Sequence, residues 1–274
     1  MQRRWAWMER PTRMLFAVLL WITAVAVAAS FAVKRWWFPA PINSHGAAFD
    51  SVFSVNLIVL GVIFLAAQGL LGWLIWRHRD RGQSARHSEG SARMEVVWTS
   101  LTLLLFLGVG VASTGLWYDV HMSALADADL KIEVAAKQFA WSFRYPGPDG
   151  KFGRTDVKLV NDAVGNPFGI VETDSDGKDD IVSSALHVPA GRPVRLQLQS
   201  RDVIHNFFVR ELRIKQDLVP GMRIPFRILA DRPGEYEIAC SELCGLGHHQ
   251  MRSILVVEIP ERFEEWLRQQ AAQR

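Results

Sequence analysis

The sequence predicts a membrane-anchored all-β protein, in which two or three N-terminal transmembrane helices precede a β-sandwich and a short C-terminal helix. Residues 1–122 contain three long apolar stretches, residues 123–259 contain short alternating runs divided by turn residues, and the two parts differ in charge. Residues 1–122 carry 11 Lys/Arg against 6 Asp/Glu, whereas residues 123–274 carry 20 against 22. Because the basic excess flanks apolar stretches, it indicates membrane topology rather than nucleic-acid binding.

Each apolar stretch is long enough to cross a membrane. The stretches cover residues 14–33, 52–76 and 96–118, and a helix needs about 20 apolar residues to span a hydrocarbon core about 30 Å thick. None shows the polar face that is typical of a helix in a soluble protein. The first stretch also has features of a signal peptide, because arginines precede it and small residues occupy positions 28–30. Its apolar run is longer than the usual h-region of about 7–15 residues, which favours a retained helix and leaves cleavage as the alternative.

The distribution of basic residues predicts the topology. Residues 1–13 contain four Arg and residues 77–93 contain five, whereas the only Lys or Arg residues of the loop 34–51 are Lys34 and Arg35. The positive-inside rule therefore places residues 1–13 and 77–93 in the cytoplasm and the loop outside. The domain 123–274 then lies outside as well, in the periplasm or its equivalent.

The domain 123–274 is predicted to consist mainly of strands. Short, partly alternating runs occur at residues 130–136, 140–145, 194–199, 224–229, 236–239 and 253–258. Turn residues such as Pro220 and Gly221 lie between them, and this spacing predicts a sandwich or a Greek-key barrel. Pro260 is expected to begin a short final helix that covers residues 261–270.

Residues 161–180 interrupt the rhythm of the strands with six Asp or Glu and few large apolar residues. The string 173–180 is similar in composition to a calcium-binding loop. Its Gly177 comes too early for an EF-hand, and no bidentate Glu follows at the required distance. We therefore expect a solvated surface insertion.

Residues 240–251 contain a set of soft and borderline metal ligands. Both cysteines of the chain lie here, with Cys244 four positions after Cys240, His248 four positions later and Met251 three positions after that. Thiolate, imidazole and thioether groups together suit copper far better than magnesium or calcium. His205 lies upstream beside a predicted strand and could add a second imidazole to a site on the rim of the sandwich.

Other uses of these residues compete with copper. A disulfide would account for the two cysteines but not for the His and Met at fixed steps. Zinc accepts two Cys and two His, but Met is a poor zinc ligand. A mononuclear blue-copper site needs only one Cys, whereas two Cys and two His with a weakly bound Met can hold two coppers bridged by two thiolates. His249 is interpreted as a neighbour of the site or a surface residue.

The segment 240–251 is similar to the binuclear copper loop of cytochrome c oxidase subunit II. Other segments resemble the same family in the same order: residues 93–99 resemble the start of its second core helix, residues 138–143 its aromatic segment, residues 202–205 its upstream ligand segment, and residues 215–221 the stretch that follows. The matches extend from about residue 50 to residue 258, so the resemblance covers most of the chain.

This resemblance implies a cupredoxin-like sandwich that holds a binuclear copper centre. The implied copper ligands are two bridging thiolates, two capping imidazoles, a weak thioether and a backbone carbonyl, which correspond to Cys240, Cys244, His205, His248, Met251 and Glu242. The carboxylate of Glu242 would also reach a magnesium ion at the border with subunit I. Glu95 would lie near the cytoplasmic mouth of a proton path in subunit I, or would be an interfacial charge beside Arg93.

The chain departs from the family pattern at several positions. Phe139 stands where the family usually has the Trp through which electrons enter, while Trp141 is retained. Thr102 stands where the family usually has Pro, and the insertion 161–180 is additional. The stretch 14–33 would be additional too if it is a retained helix rather than a cleaved signal peptide. These departures indicate a divergent bacterial branch, located in the inner membrane, and leave the electron donor open.

The resemblance implies an electron-accepting subunit of a respiratory haem-copper oxidase. It would take electrons from cytochrome c or a similar carrier and pass them to haem in subunit I for oxygen reduction, with other oxidase subunits and the lipid bilayer as further partners. The chain itself would carry out no bond chemistry. The alternatives are the copper subunit of a nitric oxide reductase, which would have the same site, and a membrane-anchored copper-binding module without an oxidase partner. A quinol oxidase subunit is disfavoured, since it lacks the copper ligands.

Overall fold

The computed structural model describes residues 10–33, 38–78, 87, 89–122 and 130–273. It divides into two compact units, one formed by Met1–Trp37 with Asp50–Ser113 and the other by Phe38–Phe49 with Thr114–Arg274. Lys34, Arg35 and much of the arginine clusters at 1–13 and 77–93 lie outside the described residues, so the predicted topology stays a prediction.

Three long helices form the N-terminal part, α1 (Arg10–Ala32), α2 (Ser44–Arg77) and α3 (Ala92–His121). By length and composition, the segments Met14–Ala32, Ser44–Arg77 and Ala92–Val120 could each cross a membrane. The predicted stretch 14–33 agrees with the apolar segment Met14–Ala32 to within one residue. The stretches 52–76 and 96–118 fall inside α2 and α3, which extend beyond them at both ends. Most of the apolar side chains on the three helices are exposed, as expected for surfaces that face lipid or partner helices.

Helix α1 packs on helix α2 through one indole ring. The Trp21 Nε1 group donates a hydrogen bond to the Gly69 carbonyl at 3.3 Å. A Cβ atom on Gly72 would lie 2.2 Å from the same nitrogen, so only glycine leaves room for the indole at this position. The packing of Trp21 against Gly69 and Gly72 fixes how α1 lies on α2.

The C-terminal domain is a sandwich of two five-stranded sheets. The strands are β1 (Leu130–Lys137), β2 (Ala140–Tyr145), β3 (Ile181–Ser183), β4 (Leu186–Pro189), β5 (Val194–Ser200), β6 (His205–Val209), β7 (Ile214–Leu218), β8 (Ile224–Ile228), β9 (Gly234–Cys240) and β10 (Arg252–Glu258). One sheet has the order β3-β2-β1-β5-β8 and the other the order β4-β10-β9-β6-β7. The β1–β5 and β10–β4 pairs are parallel, and the other pairs are antiparallel. The predicted sandwich is confirmed.

The six predicted strands all occur, and no end differs from the prediction by more than two residues. Strands β3, β4, β6 and β7 were not predicted, and each has only three to five residues. Alternation over so few residues is a weak pattern, and β6 begins with the polar pair His205 and Asn206, both of which are buried. Because these polar residues occupy buried positions, the apolar/polar alternation that predicts a strand is absent here.

The core lies between the two sheets and continues under the final helix. On β5, Val194, Leu196 and Leu198 point into the core, and Leu255 and Val257 do so from β10. The final helix, α4 (Pro260–Ala272), begins at the predicted proline. Its buried Phe263 belongs to the same core, while its Trp266 stacks on the ring of His187 with 4.0 Å between ring centroids.

The insertion 161–180 is anchored to the sandwich more firmly than a solvated loop. Phe168 and Ile170 are buried against Ala135 of β1. At the end of the insertion, Asp180 is fully buried and forms an ion pair with Arg144 of β2, which is itself only 1% exposed. Burial raises the pKa of Asp180, against the effect of the Arg144 guanidinium. The insertion is therefore attached to the sandwich by two buried apolar side chains and one buried ion pair, which its acidic composition did not indicate.

Candidate metal centre

The two strands that carry His205 and Cys240 are neighbours in one sheet. His205 is the first residue of β6 and Cys240 is the last residue of β9. These strands are paired in the register Phe207 to Cys240. The loop that follows β9 returns to β10, and its base is closed by a hydrogen bond from Cys240 N to Met251 O at 3.1 Å. Strand pairing therefore brings the distant His205 to the metal loop.

The side chains in this loop form a compact cluster around two thiols. The Sγ atoms of Cys240 and Cys244 are 3.9 Å apart. Cys240 Sγ lies 3.9 Å from His205 Nδ1, and Cys244 Sγ lies 3.6 Å from His248 Nδ1. Met251 Sδ is 3.8 Å from Cys244 Sγ. Each thiol therefore faces a different imidazole, and the thioether lies beside only one of the thiols.

The donor atoms fit the copper set that the sequence predicts. Ligand atoms of His205, Cys240 and Cys244 lie within 4.8 Å of one another, and they are the only such group of three His, Cys, Asp or Glu residues in the part of the chain that the structure describes. Both cysteines are free and buried. A metal ion bonded to sulfur at about 2.3 Å could reach both sulfurs at this separation.

The Cys244 thiol needs a cation beside it to become charged near neutral pH. Burial, together with the neighbouring Cys240, raises the pKa of the Cys244 thiol to about 11. Near neutral pH, the thiol is therefore protonated unless a cation replaces the proton. Metal binding at this cluster must release protons, as it does wherever the ligand is a thiolate.

A carboxylate orients one of the imidazoles. The ring of His205 is fully buried, and its Nε2 lies 2.8 Å from Asp202 Oδ1. Burial acts to raise the pKa of Asp202, but hydrogen bonds from the Gln138 N–H, the His205 ring and the Val203 N–H outweigh it and lower the pKa. A charged Asp202 favours the proton on Nε2, so Nδ1 presents its lone pair towards the thiols.

The metal loop wraps closely around the turn between β1 and β2. This turn consists of Gln138 and Phe139, which are joined by a cis peptide bond. A Cβ atom on Gly245 would lie 2.7 Å from Gln138 Nε2, and one on Gly247 would lie 2.5 Å from Phe139 Cδ2. The two glycines are therefore required by contact with the neighbouring turn. A contact of this kind could not be deduced from the spacing of the loop.

The two aromatic residues singled out in the sequence lie in different environments. Phe139 is 36% exposed, whereas Trp141 is only 4% exposed and packs in the core. The two rings therefore do not share one surface patch, because Phe139 belongs to the turn and not to the alternating strand. Trp141 instead lies under the site, with its ring centroid 6.5 Å from that of His205.

Glu242 and Glu95, the remaining predicted site residues, are both exposed. The Glu242 carbonyl oxygen is 3.2 Å from Cys240 Sγ, which places it beside the cluster. Glu95 lies in the first turn of α3. His249 is exposed and is not part of the cluster, in agreement with the sequence interpretation.

Sequence reasoning missed the supporting residues around the ligands. Asp202 was noted only as part of a matching segment, although a carboxylate three positions before a ligand His is a usable signal. Gln138 was noted only within an aromatic segment. No local pattern marks its contacts with Asp202 and Cys244, which lie 64 and 106 positions away.

Comparison with known proteins gives consistent matches. Residues 130–259 match the family model described as cytochrome c oxidase subunit II, periplasmic domain. An alternative cytochrome c oxidase subunit 2 of Bradyrhizobium diazoefficiens is 35% identical over 265 residues, which cover 94% of this chain and 92% of that protein. Cytochrome c oxidase subunit 2 of Thermostichus vulcanus is 30% identical over 261 residues, covering 85% and 78%.

Among solved structures, the periplasmic domain of subunit II of the cytochrome oxidase of Bradyrhizobium japonicum has 26% sequence identity and a TM-score of 0.41. The match covers 54% of this chain and 98% of the chain in that structure. The sequence relatives, which align over most of both chains, are the stronger comparison.

Proposed function

The chain belongs to the cytochrome c oxidase subunit II family, and we propose that it accepts electrons from cytochrome c at a binuclear copper centre and passes them to haem in subunit I of a haem-copper oxidase. The observation that carries this proposal is the paired arrangement of ligands. Two thiols 3.9 Å apart each face their own imidazole, an arrangement that serves two ions better than one.

Each ligand has a distinct part in this site. Cys240 and Cys244 would be shared between two copper ions, His205 and His248 would each cap one ion, and Met251 with the Glu242 carbonyl would bind weakly. Copper bound in this way supplies one-electron redox chemistry. The protein supplies a fixed geometry that changes little between oxidation states. The β6–β9 pairing, the contact of Asp202 with the buried His205 ring and the close-fitting glycines all act to keep the ligands in place.

Phe139 is the proposed point at which electrons enter. It is exposed, and its ring lies against the metal loop at Gly247. Leu243 and Leu246 of the same loop are 78% and 99% exposed, and add apolar surface suited to a protein partner. Trp141 is buried beside His205 and cannot touch a donor, so its part would be confined to the interior of the path.

Charge is expected to contribute little to docking near this turn. Asp162 of the insertion forms ion pairs with Lys137 at 2.7 Å and with Arg201 at 2.8 Å. The hydrogen bonds from Arg201 and Lys137 hold the pKa of Asp162 below its usual range. Since this acid is neutralised by neighbouring cations, it adds little to long-range attraction of a basic donor.

Two further assignments belong to the assembled enzyme. The exposed carboxylate of Glu242 is free to reach a magnesium ion shared with subunit I. Glu95, at the start of α3, would lie near the cytoplasmic mouth of a proton path. Both assignments require the helices to lie in a bacterial inner membrane, where they would contact subunit I, other subunits and lipid. The copper domain would then lie on the periplasmic side.

The test is purification of the native complex, with metal and haem analysis of every chain. We expect two coppers in this chain and an electron paramagnetic resonance spectrum with hyperfine splitting from two equivalent ions. A single type 2 copper signal, or zinc at full occupancy, would refute the proposal. Oxygen consumption without nitric oxide consumption would separate an oxidase from a nitric oxide reductase.

A further inference from the structure

The turn between β1 and β2 is hydrogen-bonded to both segments that carry the proposed copper ligands. Gln138 Nε2 donates a short hydrogen bond to the backbone carbonyl of Cys244. The backbone N–H of Gln138 donates to Asp202 Oδ2 at 2.7 Å. The other carboxylate oxygen of Asp202 contacts His205 Nε2 at 2.8 Å. One residue therefore connects the segment of a bridging thiol with the carboxylate that orients a capping imidazole.

The middle of the metal loop has few other attachments to the sandwich. Near its start, Ser241 N donates to Asn206 O at 3.3 Å. Farther along, the backbone hydrogen bonds of His248, Gln250 and Met251 run to acceptors within the loop itself. Within the residues that the structure describes, the contact from Gln138 is thus the hydrogen bond that ties the Cys244 carbonyl to another part of the domain.

We propose that Gln138 is a positioning residue for the copper site, which sets the place of Cys244 relative to His205. This inference rests on the proposed copper centre. Cys244 would be shared by both ions, so a small shift of its backbone changes the bonds to both. Groups outside the ligand set that hold ligands in this way typically contribute about 10–100-fold to metal affinity.

The test uses Gln138→Met in the purified oxidase complex. Methionine keeps the length of the side chain but removes the amide donor, and the backbone N–H to Asp202 remains. Haem content measures assembly, and a copper(I) chelator added to the reduced enzyme measures copper release. We expect release about tenfold faster than in the unmodified complex. We also expect a less symmetric hyperfine pattern, which a change in folding stability alone would not produce.

The matched control is Gln197→Met. Gln197 lies on β5, next to β1 in the same sheet, and is half-buried between the core-facing Leu196 and Leu198. Its side chain points away from the core, so this variant should release copper at the unmodified rate. Equal acceleration in the two variants would overturn the proposal.

A second pair of variants keeps the proposal open to refutation if Gln138→Met assembles poorly. In Gln138→Glu the side chain keeps its length but presents a carboxylate to the Cys244 carbonyl at neutral pH. The two acceptors repel, so this variant should release copper at least as fast as Gln138→Met. Asp202→Asn weakens the other arm of the connection. If the two arms act together, Gln138→Met should have a smaller effect in the Asp202→Asn background than alone. Independent, multiplying effects would contradict a shared positioning role.

The outcomes separate this inference from the proposed function. An unmodified complex without copper in this chain would refute the copper centre itself. Two coppers in the unmodified complex, with release unchanged in Gln138→Met and Gln138→Glu, would overturn the role of Gln138 and leave the copper centre in place.

Discussion

Gly247→Ala tests whether the metal loop is positioned by its contact with Phe139. The backbone of Gly247 has φ −89° and ψ 9°, which alanine can adopt, so the effect is confined to the added methyl group. That methyl would lie 2.5 Å from Phe139 Cδ2, 2.7 Å from Cε2 and 2.8 Å from Cγ. Since ordinary carbon contacts begin near 3.5 Å, the ring or the loop must move by about 1 Å.

The expected cost is moderate. Overpacking typically destabilises a protein by about 1–3 kcal/mol, and Phe139 is partly exposed, so its ring can swing outward. We therefore expect a loss of about 1–2 kcal/mol in the free energy of unfolding, or a fall of about 2–8 °C in the melting temperature of the sandwich. Near-ultraviolet circular dichroism of the full-length chain would measure it, since buried Trp141 reports on packing beside the site.

A second substitution identifies the cause. Removing the ring in Phe139→Ala leaves room for the methyl group, so the double variant should be more stable than the sum of the two single effects by about 1–2 kcal/mol. Gly245→Ala should cost more than Gly247→Ala, because its φ of +139° adds backbone strain to a contact 2.7 Å from Gln138 Nε2. A fully stable Gly247→Ala, or additive effects in the double variant, would refute the steric argument.

Substitutions at other positions should separate the remaining roles. Cys240→Ser should abolish the two-copper resonance signal, whereas Met251→Leu should keep copper and shift the reduction potential, since weak ligands tune it; a normal spectrum in the first or complete copper loss in the second would contradict these roles. Phe139→Ala should slow reduction by the native donor several-fold in stopped-flow experiments without altering copper spectra, and Phe139→Trp should be tolerated. An unchanged rate would move docking elsewhere, and a steep salt dependence would show that charge outweighs the apolar surface. Glu242→Gln should weaken manganese substitution at the border with subunit I while most copper stays bound, and unchanged manganese binding would remove this role. The intact mass of the mature chain should correspond to a chain that includes residues 14–33. A mass that corresponds to a chain beginning shortly after residue 30 would identify a cleaved signal peptide.

The proposed metal ligands could be predicted from the sequence because most of them are local. Cys240, Cys244, His248 and Met251 lie within one loop, and their chemistry is legible from residue type and spacing alone. His205 was found only through the resemblance of its segment and its place beside a predicted strand. The structure confirms that β6 and β9 bring it to Cys240.

The long helices were predictable for a related reason. Length and continuous apolar composition are properties of the sequence itself, and a helix in lipid satisfies its own backbone hydrogen bonds without a partner. The strands were predicted only where alternation ran over at least four residues. The short strands β3, β4 and β7 take their conformation from pairing with neighbours, which the local pattern does not record.

The environment of each supporting side chain was decided by the tertiary structure. Trp141 and Phe139 are two positions apart, yet a turn places one in the core and the other at the surface. Arg144 and Asp180 form a buried ion pair across an insertion that looked solvated by composition. Which residues can bind a metal depends on the donor atoms of single side chains, and residue type in the sequence gives these directly. The contacts of Gln138 with Asp202 and Cys244 depend on three distant segments meeting at one edge of the sandwich, and such a meeting is created only when the two sheets pack.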